Sequence, residues 1–226
     1  MTLAEITARV SEQTYYPELF TAAFGDSNIT TERISKALSQ FVRSIVSYNT
    51  KYDAGRAQVT SMGAPFPNFT PEENEGKMLF LKPVDQGGGS CFSCHTTEAF
   101  VSSNAGPVNN GLDLESTTDF GAFETFPDMD NFDGAFKVTT LRNIELTAPY
   151  MHDGRLLTLE AVIEHYDHGI QPNPNLALHL QDANGNPIRL HFTDAKKAAL
   201  LAFLKTLTDH TVATDVKWSN PFVNQN

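Results

Sequence analysis

The two cysteines among the 226 residues stand together, separated by two positions, in Cys91-Phe92-Ser93-Cys94-His95. Thiols at this spacing can add to the two vinyl groups of a haem, and the histidine that follows is then placed to ligate iron from the proximal side. Two other chemistries use paired cysteines. A thioredoxin-like redox pair opens a helix after a buried parallel strand. Here Gln86-Gly87-Gly88-Gly89-Ser90 precedes the pair, and no βαβ pattern surrounds it. A structural zinc site wants four ligands, and the chain has no second cysteine pair. The motif reads as attachment of one covalent haem c through Cys91 and Cys94, with His95 on the iron.

A haem held this way either keeps its sixth position open for chemistry or closes it with a second side chain and moves electrons. Candidates are Met151, His152, His165, Tyr166 and His168. On a helical wheel starting near Thr158, Leu159, Val162, Ile163 and Tyr166 share one face. That turns Tyr166 inward, whereas His165 and His168 fall away. Tyr166 reads equally as a core tyrosine whose hydroxyl finds a backbone partner. Ligand chemistry alone favours Met151, because thioether is the partner of histidine in electron-transfer cytochromes c.

The elements that must position these groups read as mostly helical. Short helices are expected from Leu3 to Val10 and from Tyr16, stopping at Gly25-Asp26. Residues 30–48 carry Ile34, Ala37, Leu38, Phe41, Val42, Ile45 and Val46 at amphipathic spacing. Thr70 caps a helix over 71–81 that begins Pro71-Glu72-Glu73, and Thr193 caps another over 194–208. Between these lie a Gly- and Pro-punctuated connection from Tyr48 to Phe69 and a long aperiodic stretch over 96–136. A haem explains so long a loop, since its apolar surface can nucleate irregular chain. No strand alternation or fixed-period repeat occurs. The expected organisation is a helical segment over 1–70, a cytochrome c-like haem domain over 71–212 and a tail over 213–226.

Composition narrows the partners. The hydrophobic share of 40%, with sixteen Phe, is enough for a real core. A net charge of −11 leaves no basic footprint for nucleic acid and favours a basic redox protein. No apolar run is long enough to span a membrane, and the first residues lack the pattern of a signal peptide. Haem c is attached outside the cytoplasmic membrane, so a periplasmic location is expected, with the signal removed or upstream.

Phe136-Lys-Val-Thr-Thr-Leu-Arg-Asn143, Leu146-Thr-Ala-Pro-Tyr-Met-His-Asp-Gly154 and Thr158-Leu-Glu-Ala-Val-Ile-Glu-His-Tyr166 resemble the C-terminal haem domain of bacterial dihaem cytochrome c peroxidases and MauG-type proteins. The likeness extends weakly through Tyr16 to Gly25 and through Phe192 to Thr208. It implies that Met151 is not the iron ligand and that Tyr166 occupies the ligand position, where peroxidases carry Met and MauG carries Tyr. An anionic oxygen ligand stabilises ferric iron and lowers its potential relative to Met. The resemblance also implies that Arg142 serves a haem propionate or the network around it. It further implies that the backbone carbonyls of Thr147 and Pro149 contribute to a calcium ion between two haem domains.

The chain departs from that family in carrying one attachment motif where the family has two. The peroxide-reacting half is missing, as is the tryptophan between the haems, since Trp218 lies near the C-terminus. The implied function is a haem c oxidoreductase module: the electron-transferring domain of a MauG-like or peroxidase-like protein that uses hydrogen peroxide at a second haem. Two alternatives remain at this point. One is a standalone monohaem electron carrier; the other is a monohaem peroxidase helped by His152 or Asp153.

Overall fold

The structure is a computed structural model that describes residues 1–102, 106–212 and 214–220. Its described residues are mostly helical, with isolated β-bridges and no extended strand. Two compact units divide the chain: Met1–Val46 with Thr214–Asn226, and Ser47–Ala213.

In the first unit, α1 (Leu3–Ser11) opens on a capping box between Thr2 and Glu5, and α2 (Tyr16–Phe24) ends at Gly25 with φ of 90°. The third helix, α3 (Thr31–Ser44), is capped by Thr30 and stops four residues short of the sequence expectation. The β-branched pair Ile45-Val46 follows, and Ile45 already leaves helical geometry. None of the α3 side chains is buried. The indole of Trp218 donates to Ser44 Oγ at 3.2 Å, which joins the tail to this unit. Residues 213 and 221–226 of the expected tail lie outside the described residues.

The second unit begins at Ser47 and not at the boundary of 70 read from the sequence. Asp209 explains the difference. Its nearly fully buried carboxylate accepts the backbone N–H groups of Tyr48 at 3.1 Å and Asn49 at 3.0 Å. Beyond it, α4 (Lys51–Arg56) starts where Tyr52 N–H donates to the Thr206 carbonyl at 3.1 Å, and Lys51 pairs with Glu73 at 2.6 Å. The connection from 47 to 70 is therefore part of the haem unit.

Two helices form the centre of that unit. Thr70 and Glu73 make a capping box for α5 (Pro71–Leu81), as the sequence predicts. Thr193 caps α7 (Asp194–Lys205), which ends in a turn over 206–208 where helix was expected. They cross at Gly76, where a Cβ would lie 1.8 Å from the Ala199 carbonyl oxygen. Only glycine permits that approach. Around the crossing, Phe80 sits 5.2 Å from Phe203 and 5.7 Å from Phe100, and Tyr52 sits 4.9 Å from Phe100. These offset and edge-on contacts suit aromatic rings.

Lys77 is also fully buried here, with Nζ donating to the carbonyls of Met62 (2.6 Å) and Ala64 and lying 3.9 Å over the Phe66 ring. It pins the 62–66 connection onto α5.

Candidate haem site

The glycine run after α5 folds back on the end of that helix. Gly89 N–H donates to the Leu79 carbonyl at 2.7 Å and Ser90 N–H to that of Lys82 at 2.9 Å. A Cβ on Gly88 would lie 2.2 Å from the Lys82 carbonyl oxygen, so a side chain there would break the turn. This brings Cys91 against the aromatic core, and a 3-10 turn over Cys91–Ser93 carries the chain to Cys94 and His95. Both cysteines are free thiols. Burial pushes Cys91 up to about 12 and raises Cys94, so both hold their protons at neutral pH.

His95 Nδ1 lies 3.1 Å from the carbonyl of Phe100, itself fully buried between Tyr52 and Phe80. Burial lowers the imidazole pKa, against the opposing pull of the Phe100 and Thr139 carbonyls, and keeps the ring neutral. With Nδ1 donating to Phe100, the Nε2 lone pair is the metal-binding one.

A second candidate element is α6 (Leu159–Glu164), capped by Thr158, with the π-helical turn His165–Gly169 that continues it. Tyr166 is partly buried and packs against Ile170, Leu176 and Ile188. Burial pushes its hydroxyl up to about 12; a hydrogen bond from the Asn110 side chain acts the other way, and the neighbouring Cys91 and Cys94 thiols add to the rise. The structure thus brings Tyr166 beside the attachment cysteines. Met151 approaches the same place with φ of 72°, and its Sδ accepts from Asn110 Nδ2 at 3.3 Å.

The three remaining candidates, all histidines, behave differently. His165 was expected to turn away, yet it is buried, with Nε2 3.1 Å from the Asn110 carbonyl. Its position corrects the wheel reading, because the α-helix gives way to a π turn at this residue and the 100° step no longer applies. His168 is exposed, as expected, beside Glu164 (3.3 Å) and Asp167 (3.2 Å). These three could in shape hold a metal, but Lys197 Nζ already sits on both carboxylates at 2.7 and 3.2 Å. His152 stacks on Phe136 with centroids 3.9 Å apart, and Asp153 is committed to Arg155 at 2.6 Å.

Arg142 grips Asp53 through both terminal nitrogens, at 2.9 and 2.8 Å, and donates to the Glu98 carbonyl. Thr147 and Pro149 lie exposed at the surface. Sequence reasoning missed Asn110. Its only signal was the Asn110-Gly111 pair, which reads as a turn.

Two thiols, a neutral imidazole with an oriented Nε2 and a phenol, set against apolar walls, are a donor set that fits a covalently attached haem. Comparison with known proteins agrees. The family model described as di-haem cytochrome c peroxidase matches residues 1–60. The methylamine utilization protein MauG of Methylophilus methylotrophus is 29% identical over 209 residues, covering 91% of this chain and 55% of that protein. Cytochrome c551 peroxidase of Nitrosomonas europaea is 30% identical over 208 residues, covering 88% of this chain and 51% of its own length. Over most of its length the chain is similar to MauG and dihaem cytochrome c peroxidases.

Among solved structures, a MauG-like protein associated with microbial copper homeostasis superposes with a TM-score of 0.78 at 28% identity. That match covers 97% of this chain and 65% of the other. The diheme peroxidase BthA from Burkholderia thailandensis E264 shares the fold, with a TM-score of 0.64 at 20% identity over 92% of this chain and 59% of that one. The chain spans about half the length of the curated relatives it matches. It matches a domain of these relatives and carries one Cys-x-x-Cys-His sequence, at Cys91, Cys94 and His95.

Proposed function

We propose that this chain is the electron-transferring haem c domain of a MauG-like or peroxidase-like dihaem protein that uses hydrogen peroxide, in which Cys91 and Cys94 would carry the haem and His95 and Tyr166 would hold its iron. The observation that carries the reading is the placement of Tyr166 beside Cys91 and Cys94. When bound, the haem supplies a one-electron ferric and ferrous couple.

The protein's part is orientation and charge. Phe100 fixes the His95 tautomer through Nδ1. Ligation requires Tyr166 Oη to give up its proton, and the Asn110 amide favours the resulting phenolate. Met151 is the alternative ligand, and its sulfur is already engaged by Asn110.

A second haem, on an N-terminal domain or a partner chain, would supply the reaction with peroxide, and this domain would exchange electrons with it. The exposed Thr147 and Pro149 carbonyls are this chain's share of an inter-domain calcium site, completed by the other domain. A basic redox protein suits the charge of −11. Haem c attachment puts the protein in the periplasm, and among the described residues no helix is long and apolar enough to cross a membrane.

The test is low-temperature EPR of the ferric holoprotein with haem quantified on the same sample. Wild type is expected to give a single low-spin species that Tyr166→Phe converts to high spin. Adding the second haem domain is expected to restore peroxide-driven oxidation. A wild-type spectrum that is mainly high-spin, or one untouched by Tyr166→Phe, would overturn the ligand assignment. Full peroxidase turnover by the isolated chain would overturn the assignment as an electron-transfer module.

A further inference from the structure

Asn110 stands where the attachment side, the α6 wall and the Met151 loop converge, and its mounting is rigid. One residue before it on either side, the backbone is anchored. Val108 exchanges two backbone hydrogen bonds with Phe136, at 2.9 and 3.0 Å, and Asn109 O accepts from Ala177 at 3.0 Å. After it, Gly111 O accepts from Gln171 N–H at 2.7 Å, and Gly111 N–H donates to Asn109 Oδ1 at 2.8 Å. A Cβ on Gly111 would lie 2.6 Å from Ile170, so this segment is pressed against the cluster that holds Tyr166.

From that post Asn110 makes two contacts: its backbone carbonyl faces His165 Nε2 at 3.1 Å, and its Nδ2 donates to Met151 Sδ at 3.3 Å.

Met151 is one of the two side chains that compete for the sixth position. A thioether whose lone pair accepts a hydrogen bond is a poorer ligand, and Met151 is tethered in this way. We infer that Asn110 is a positioning residue that selects Tyr166 over Met151 as the sixth ligand by holding the methionine sulfur aside. This rests on the His95 and Tyr166 reading above, and adds what enforces it.

Three variants of the holoprotein test this by EPR and optical spectroscopy. Asn110→Leu keeps the side-chain size and removes the donor. It is expected to show a second low-spin species with the charge-transfer band of thioether ligation, and that species should vanish in Asn110→Leu/Met151→Leu. In the double variant the tyrosine-ligated spectrum of the wild type should return.

Met151→Leu alone is expected to leave the wild-type spectrum in place, a result that does not depend on the position-110 variant folding. A spectral change in Met151→Leu would overturn the selection role. So would an Asn110→Leu protein with wild-type spectrum, when Tyr166→Phe still converts the wild type. If Tyr166→Phe has no effect either, the ligand assignment fails first and this inference falls with it.

Discussion

The two sides of the proposed haem site, proximal around His95 and distal around Tyr166, are built by different physics. On the proximal side one short stretch does the work: α5, a glycine turn folded back on it, and Cys91 to His95, all seated on the aromatic core beneath α7. Every group there is delivered by its immediate neighbours in sequence, and apolar burial holds it. The distal side brings together residues 110, 151 and 165–166 through polar contacts, with a π turn and a methionine at positive φ. Proximal geometry is fixed by packing, so it stands or falls with the fold. Distal geometry is fixed by a few hydrogen bonds, so it can change while the fold survives. The side that only has to hold the haem is the robust one, and the side that sets its chemistry is adjustable.

That contrast can be broken first at the helix crossing. Gly76→Val would drive a side chain into the Ala199 carbonyl, and we expect a loss of about 3 kcal/mol or more in urea unfolding, with little holoprotein recovered. Near-normal stability would show that the crossing can shift, and the proximal side would then be as adjustable as the distal one.

Asn109→Ala probes the distal side. Its buried amide donates to the Asp133 carbonyl at 3.3 Å and accepts from Gly111 at 2.8 Å. A loss of about 2 kcal/mol is expected. Far-UV circular dichroism should keep its helical signal while EPR shows a new high-spin fraction. Loss of helix in step with the spin change would erase the distinction between the two sides.

Lys77 sharpens the comparison by a smaller amount. Burial, and then Arg56, push its amine down to about 8. The folded amine thus titrates below the unfolded one, so its charged form costs the folded state stability below about pH 8. The cost fades as the pH rises from there toward the ordinary lysine value. Lys77→Met leaves the Met62 and Ala64 carbonyls without their donor, for about 1 kcal/mol at neutral pH. Denaturant midpoints compared just above and just below pH 8 should rise in wild type and stay flat in the variant.

The sequence was readable wherever local chemistry decided the outcome. Thr70-Pro71 with Glu73 marked the start of α5, Thr193 marked α7, and the cysteine spacing marked the attachment turn, because capping, periodicity and covalent geometry act over a few residues. What could not be read depends on distant partners. Asp209 reaches back some 160 positions to fix where the haem unit begins. Arg142 finds Asp53 and the Glu98 carbonyl across the fold. His165 turns inward because a π turn replaces the helix that periodicity assumes, and Asp167 holds that turn by accepting from Phe192 N–H at 2.8 Å. Tyr166 was read from its face and from resemblance, whereas Asn110 gave no sign beyond a turn.

The Asp209 clamp has a topological meaning as well. By binding Ser47, Tyr48 and Asn49, it holds the start of the second unit beside a residue close to that unit's end. A stretch closed at its base by one carboxylate is a natural place for new chain ends, since joining or cutting there leaves the interior as it is.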